Sequence, residues 1–184
     1  TYTKRTGAGG AAIFNELRPA AYEVREIAGI EGWQFDGETV KTVSVTAGET
    51  ASVCFINKEL PGLRITKYDR TTHTVLDGVT FEVWHDGVSI GRYVTDMQGE
   101  ILLPNAATGT YLVKEVQGQD THIVCTTPQQ IELKAGDGIR TLVFFNDLKP
   151  GLTLTKVDSA DLSKPIANAK FELKKVDGSY GPVE

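Results

Sequence analysis

The chain repeats one pattern at a fixed distance, and this repeat constrains its architecture more than any other feature. The stretch CFINKELPGLRITKYD at 54–69 recurs in closely similar form as VFFNDLKPGLTLTKVD at 143–158. Three pairs of residues keep the same spacing of 89 positions: Asn57 and Asn146, Lys67 and Lys156, and Glu26 and Glu115. A period of this length exceeds that of solenoid repeats and is typical of small independent domains. The sequence therefore predicts domains arranged in tandem.

Pro-Gly pairs at 61–62 and 150–151 mark the predicted junctions between these domains, because both residues interrupt regular structure. They divide the chain into the C-terminal portion of a first domain (1–61), one complete domain (62–150) and the N-terminal portion of a third domain (151–184). We therefore expect the chain to be a piece of a longer protein.

Short alternating segments separated by Gly, Asp, Asn or Pro predict strands throughout each repeat. Examples are LRITKYD, VTFEVWHDG, TYLVKEV, QQIELKAGDG and RTLVFFND. Alternation of apolar and polar residues is the period of a half-buried strand, and no stretch has a convincing helical period. About seven such strands in roughly 90 residues predict an all-β fold of tandem immunoglobulin-like β-sandwiches.

Composition excludes several classes of function. The 184 residues carry 24 acidic and 19 basic side chains, a net charge of -5, without a long run of either sign. This distribution argues against a nucleic-acid surface or a polybasic membrane patch. No apolar stretch is long enough to span a bilayer, so we expect no membrane contact within this segment.

Three polar side chains continue the inward, apolar faces of predicted strands. Side chains two positions apart on a strand share a face, and Lys67, Glu115 and Asn146 each follow apolar residues at this spacing. Those apolar residues are Leu63 and Ile65, Tyr111 and Val113, and Leu142 and Phe144. In the first repeat, Glu26 follows Tyr22 and Val24, and Asn57 follows Phe55. Burying such charged groups costs several kcal/mol unless they are paired or neutralised.

Two interpretations of this pattern remain open from the residues alone. In the first, each polar group lies at a strand end, where a lysine extends to solvent and an asparagine caps a turn. In the second, the three groups meet. A desolvated lysine is pushed toward its nucleophilic amine form and a desolvated carboxyl toward its protonated acid form. Fixed contact would then allow the amine to attack the asparagine amide and release ammonia.

The motifs resemble a known family of bacterial surface domains. LTLTKVD followed by PIANAKFELKKVDG, LPNAATGTYLVKEV, and VFFND are similar to the lysine strand, the Gly-x-Tyr-x-x-x-Glu box and the closing Asn of collagen-adhesin B-type domains. These domains, also called Cna-B or SpaA-like pilin domains, occur in Gram-positive surface proteins. The resemblance implies that the immunoglobulin-like sandwiches of this chain are prealbumin-like. The family often follows its Glu with a Pro-Gly-Tyr turn, whereas this chain has VQGQDTHIVCTTP.

The resemblance implies a spontaneous isopeptide bond between Lys67 and Asn146, with Glu115 as the catalytic acid. By the same correspondence Glu26 is the acid of the first repeat, and Asn57 and Lys156 belong to incomplete cross-link sites. It also implies an extracellular location at the cell wall or cell surface. The implied function is a stalk segment of an adhesin or pilus-like fibre, with a single-turnover cross-link and no enzymatic activity.

The expected partners are neighbouring domains of the same protein, with head-to-tail self-assembly through the incomplete end domains as a further hypothesis. The alternative function is a ligand-binding β-sandwich module that recognises a host protein or glycan through its loops. We expect no cofactor and no nucleic-acid partner.

The cysteine and histidine residues suggest no separate chemistry. Cys54 and Cys125 belong to different predicted domains, so we expect both to be unpaired. The three histidines, His73, His85 and His122, lack metal-ligand spacing and are expected at the surface or in turns.

Overall fold

The computed structural model describes residues 1–176, so the last residues of the predicted third domain lie outside the described part. The chain forms two compact units, Thr1–Leu148 and Lys149–Glu184. The described residues contain strands, turns and loops without a helix, as predicted for an all-β chain. They accordingly include no helix that could span a membrane. The three-part division at the Pro-Gly pairs stays a prediction.

A β-sandwich occupies the second half of the first unit. Its strands are β5 (Gly62–Asp69), β6 (Thr80–His85), β7 (Val88–Val94), β8 (Glu100–Leu103), β9 (Gly109–Gln117), β10 (His122–Ile123), β11 (Gln129–Leu133) and β12 (Ile139–Leu148). One four-stranded sheet has the order β10-β12-β5-β8, and the other has the order β11-β9-β6-β7. This arrangement agrees with the predicted prealbumin-like β-sandwich. We call residues 62–148 the central domain.

The core of the central domain lies between the two sheets. Inward side chains of both sheets alternate with outward ones, as expected when one face of each strand is buried. Phe81 on β6 contacts Phe144 on β12 across this space, with ring centroids 4.8 Å apart. The buried apolar side chains of the described residues all lie between Leu63 and Phe144. The described chain therefore has one apolar core, inside the central domain.

The first and last strands of the central domain are neighbours in the same sheet. β5 and β12 pair in parallel, with Lys67 opposite Phe144 and Asp69 opposite Asn146. The other strand pairs of the two sheets are antiparallel. Because the two strands run side by side in the same direction, side chains near their C-terminal ends come together.

Residues 1–61, which we call the first segment, form two separate two-stranded sheets. β1 (Ala20–Arg25) pairs with β3 (Val40–Val45), and β2 (Trp33–Phe35) pairs with β4 (Asn57–Glu59). The second pair repeats part of the central domain at a distance of 89 residues. Trp33 lies opposite Glu59 as His122 lies opposite Leu148. The sequence repeat is thus also a repeat of strand register.

The second unit contains a turn and isolated contacts in its described part. Val157 forms a single bridge with Pro165, and the Ile166 amide donates to the Lys156 carbonyl at 2.8 Å. Leu152 and Leu154, which repeat two core residues of β5, are 64% and 54% exposed. The lysine-strand sequence is therefore not assembled into a sheet there.

Candidate cross-linking site

Lys67, Glu115 and Asn146 meet inside the central domain. Lys67 Nζ lies 2.9 Å from Glu115 Oε2 and 2.6 Å from Asn146 Oδ1. The second oxygen of the carboxylate, Oε1, accepts a hydrogen bond from Asn146 Nδ2 at 2.6 Å. Each side chain therefore contacts the other two. Of the two interpretations of the sequence, the geometry agrees with the one in which the three groups meet.

Three strands from both sheets bring these side chains together. Lys67 ends the inward face of β5, Glu115 lies on β9, and Asn146 lies on β12. Glu115 is opposite Phe81 of β6, and the ring of Phe81 packs against that of Phe144. The polar groups thus lie on the same strands as the aromatic residues of the apolar core.

Burial determines the electrostatics of the site. The three side chains are 0–1% exposed, so water does not screen their charges. Burial lowers the pKa of Lys67, although the hydrogen bond and the negative charge of Glu115 act in the opposite direction. A lowered pKa makes the neutral, nucleophilic amine easier to reach. The pair also depends on mutual contact, because removing one partner leaves a buried, uncompensated charge.

The segment after β9 closes over the amide of Asn146. The main-chain N–H of Cys125 donates to Asn146 Oδ1 at 3.0 Å. Because a main-chain N–H can only donate, the atom that it faces is the amide oxygen. A Cβ at Gly118 in the same segment would lie 2.9 Å from Glu115 Oε1, so a side chain there would displace the carboxylate from its place in the trio. Sequence patterns did not indicate this loop contact.

The first segment holds an incomplete version of this site. Asn57 Nδ2 donates to Glu26 Oε1 at 3.0 Å, with the same separation of 31 residues that joins Glu115 and Asn146. Both residues are only partly buried. Asn57 Oδ1 is buried but has no hydrogen-bond partner, at the position where Asn146 Oδ1 accepts two hydrogen bonds. Within residues 1–176, no lysine donates to Asn57 Oδ1.

Lys156, the remaining predicted site residue, is exposed in the second unit. It is not brought to an acid or an asparagine within the described part of that unit. The structure therefore assembles Lys67, Glu115 and Asn146 as a trio and Glu26 and Asn57 as a pair.

Sequence reasoning missed a buried polar pair beside the trio. His122, expected at the surface or in a turn, is 7% exposed, and its Nε2 lies 3.1 Å from Asp69 Oδ2. Asp69 also accepts hydrogen bonds from the amides of Thr71 and Thr72. These interactions, led by the Thr72 amide, hold the pKa of Asp69 at about 2. The DRTT sequence at the end of β5, typical of an Asp that caps a turn, was the available signal.

The two cysteines form no disulfide with each other. Cys54 and Cys125 are free thiols, the first exposed and the second partly buried. Within residues 1–176, no group of three or more His, Cys, Asp or Glu side chains could hold a metal ion.

Comparison with known families assigns the central domain. Residues 61–148 match the model of a family described as "SpaA: Prealbumin-like fold domain". The match spans β5 to β12 and so includes Lys67, Glu115 and Asn146. The comparison with curated proteins found no significant match.

The chain is also similar to solved structures of bacterial proteins, two of which are pilins. The Bacillus anthracis TIE protein is 27% identical with a TM-score of 0.49, over 85% of this chain and 30% of that one. The minor pilin of Streptococcus agalactiae is 19% identical with a TM-score of 0.45, over 81% and 68%. The major pilin subunit of Bacillus cereus is 13% identical with a TM-score of 0.44, over 60% and 34%.

This chain thus spans only 30% of the length of the first of these proteins. Because all three TM-scores lie below 0.5, the fold assignment depends on the observed sheet order and on the family match.

Proposed function

Residues 61–148 are a SpaA domain of prealbumin-like fold, and from this premise we propose that the chain is a structural segment of a bacterial surface adhesin or pilus-like fibre. Its place would be extracellular, at the cell wall or cell surface. The central domain would be locked by an isopeptide bond between Lys67 and Asn146. The observation that carries the proposal is the buried, mutual contact of Lys67, Glu115 and Asn146.

The proposed reaction needs only these three side chains. Lys67 first passes a proton to Glu115, which leaves a neutral amine and a carboxylic acid. The amine attacks Asn146 Cγ, a C–N bond forms, and the amide oxygen takes the negative charge. Glu115 gives its proton to Nδ2 and receives one from the attacking nitrogen. The Cγ–Nδ2 bond then breaks, and one ammonia leaves.

Contact between the three side chains in the folded state lowers the activation barrier of this otherwise slow reaction. Holding reacting groups together replaces a bimolecular encounter and can contribute several kcal/mol to lowering the barrier. Glu115 touches both the amine and the leaving nitrogen, as a group that moves protons between them requires. Glu115 is not consumed, but Lys67 and Asn146 are converted into the product, so the reaction occurs once in each molecule. The protein is therefore not a turnover enzyme in this proposal.

The position of the bond suits a fibre under tension. β5 and β12 are the first and last strands of the central domain and lie side by side in parallel. A bond from Lys67 to Asn146 joins residues that are 79 positions apart. Force entering at β5 would pass through the bond to β12 and bypass the chain between them. The core of the domain would then bear little load.

Intact mass measurement tests the cross-link. The folded protein is expected to be lighter than its sequence by the mass of one ammonia, and Lys67→Ala or Asn146→Ala is expected to restore the full mass. A folded wild-type protein with the full, unmodified mass would overturn the proposal.

The incomplete sites support a second part of the proposal, self-assembly from head to tail. The unpartnered Asn57 Oδ1 beside Glu26 lacks a lysine donor, and GLTLTKVD at 151–158 repeats the lysine strand GLRITKYD of β5. A second copy of the chain could supply this strand and bond its Lys156 to Asn57. Neighbouring domains of the same protein are the other source of such a strand.

Denaturing gel electrophoresis distinguishes a lysine strand donated by a second copy from one donated by a neighbouring domain of the same protein. Covalent ladders that disappear in Lys156→Ala would support assembly between copies. A strictly monomeric denatured species would contradict covalent assembly by this route. The alternative function, a ligand-binding module that uses its loops, stays a prediction.

A further inference from the structure

The amide oxygen of Asn146 has a donor that the three-residue reaction does not use. Lys67 Nζ lies 2.6 Å from Asn146 Oδ1, and the main-chain N–H of Cys125 donates to the same oxygen at 3.0 Å. The same N–H is 3.4 Å from Glu115 Oε2, a longer contact. The Cys125 N–H therefore points at the oxygen that accepts negative charge during attack.

We propose that the main-chain N–H of Cys125 is the oxyanion donor of the cross-linking reaction. This inference rests on the proposed function and assigns a further group to the same site. An attacking amine must direct its lone pair at Cγ, so Lys67 cannot remain the principal donor to Oδ1. The Cys125 N–H stays in place as charge develops on the oxygen. Donors that are fixed before the reaction, in a site without water, stabilise such charge strongly.

The local sequence holds this N–H in position. Gly118 lets the chain pass over the trio, because any Cβ there would lie 2.9 Å from Glu115 Oε1. β10 then pairs His122 with Leu148 and Ile123 with Asp147, immediately after Asn146 on β12. The His122 ring is buried and lies 3.1 Å from Asp69 Oδ2. The segment is thus anchored to both β12 and the end of β5, just before Cys125.

The first segment provides an internal control for this geometry. Asp36 stands 89 positions before Cys125 and follows the same strand pairing. Its N–H donates to the main-chain carbonyl of Ile56 at 2.9 Å, and Asn57 Oδ1 remains without a partner. Strand register alone therefore does not direct the N–H at the asparagine. The path of the 118–125 segment in the central domain does so.

Two substitutions at position 125 separate the N–H from the thiol. Cys125→Ala removes the thiol and keeps the N–H, whereas Cys125→Pro removes both. Each protein is unfolded in denaturant, diluted to refold, stopped with acid at increasing times and weighed intact. Loss of ammonia is expected at the wild-type rate in Cys125→Ala. In Cys125→Pro it is expected to be roughly 100-fold slower or more, since that is the usual cost of one oxyanion donor.

Replacing the N–H at position 125 by an ester oxygen removes the donor without the proline ring, which could itself disturb folding. Incorporating lactic acid at position 125 gives the Cys125→Ala side chain with an ester oxygen in place of the N–H. Circular dichroism establishes that this protein is folded before the rates are compared. Slower ammonia loss than in Cys125→Ala supports the assignment, and an equal rate overturns it. A wild-type protein that never loses ammonia would instead contradict the proposed cross-link itself, and the assignment with it.

Discussion

The first segment and the central domain contain the same acid and the same asparagine at the same spacing, yet their sites differ. Glu115 and Asn146 are buried with Lys67 inside the sandwich, whereas Glu26 and Asn57 are half-buried, the first just after β1 and the second at the start of β4. Asn146 Oδ1 accepts two hydrogen bonds, and Asn57 Oδ1 accepts none. The potential for reaction therefore belongs to the assembled sandwich and not to the residue types alone.

The difference arises from one strand and one loop. β5 supplies Lys67 and lies between β12 and β8, so its side chain enters the core without access to water. The loop before β11 supplies the Cys125 N–H. The first segment has the strands that correspond to β10 and the end of β12, but no strand that corresponds to β5 lies in its sheets. The hydrogen bond between Glu26 and Asn57 is present without a lysine strand and without an N–H directed at Asn57 Oδ1.

Removing the lysine should produce the largest effect and make the central domain resemble the first segment. Lys67→Met keeps most of the apolar volume but cannot form the cross-link. Loss of a bond that closes a 79-residue span should cost about 4 kcal/mol of unfolding free energy by loop entropy. Glu115 would also be buried without its cation, which adds to the loss. Thermal unfolding and intact mass measure the two consequences.

The matched control for this change lies in the first segment. Glu26→Gln should leave both the mass and the main unfolding transition of the central domain unchanged, since Glu26 has no lysine partner. A comparable loss of stability in both variants would contradict the distinction between the complete and incomplete sites.

Replacing the acid while preserving its shape should affect the rate more than the fold. Glu115→Gln retains the size of the side chain but cannot accept the proton of Lys67. Loss of a general acid-base group typically slows a reaction by about 100-fold to 10,000-fold. Mass spectrometry during refolding should therefore show mainly unmodified protein when the wild type is fully cross-linked. Rapid ammonia loss in this variant would exclude Glu115 as the proton-transfer group.

A lysine supplied by a synthetic peptide should give the incomplete Glu26–Asn57 site part of the reactivity of the complete site. A synthetic peptide with the sequence of 150–158, added to the Lys156→Ala protein, is expected to form an adduct at Asn57 with loss of one ammonia. The yield should be low, because Glu26 and Asn57 are only partly buried and no N–H is directed at Asn57 Oδ1. A peptide with Ala in place of the lysine is the control. Adducts from both peptides, or an adduct outside Asn57, would contradict the incomplete-site hypothesis.

Strand parity predicted much of the fold and the inward position of the three side chains. Alternation places Lys67, Glu115 and Asn146 on inward faces, and a two-sheet sandwich brings inward faces together. The 89-residue repeat makes Glu26 and Asn57 the counterparts of Glu115 and Asn146, and a hydrogen bond joins them. These features follow from periodicity, which the sequence displays directly.

Contacts that depend on the path of a loop could not be predicted from sequence periodicity. The direction of the Cys125 N–H follows from the course of 118–125, which has no periodic signal. His122 lies in a two-residue strand, too short for alternation to indicate burial. Trp33 lies in the first segment, which contributes no side chain to the buried apolar core of the described residues, and it is 45% exposed.

The smallest expected effect is a dependence of the unfolding free energy on pH that arises from the buried Lys67. Asn146→Ala cannot cross-link but keeps Lys67 beside Glu115, so its reversible unfolding can be measured. Burial lowers the pKa of Lys67 in the folded state below its ordinary 10.5. Between that lowered pKa and 10.5, the unfolded chain binds more protons than the folded chain. The unfolding free energy should therefore rise with pH in this window, by at most about 1.4 kcal/mol per pH unit.

A second titrating group makes a paired measurement necessary for this pH test. Burial raises the pKa of Tyr111, so this residue lowers stability as the pH rises above its ordinary value of 10.0 and opposes the lysine. The Asn146→Ala/Lys67→Met protein retains Tyr111 and lacks the lysine, so the difference between the two proteins isolates Lys67. Denaturant unfolding from pH 7 to 10 should give a difference that grows in favour of the lysine-containing protein as pH rises. Equal slopes would show that Lys67 has an ordinary pKa, and the amine would then not be predisposed to attack Asn146.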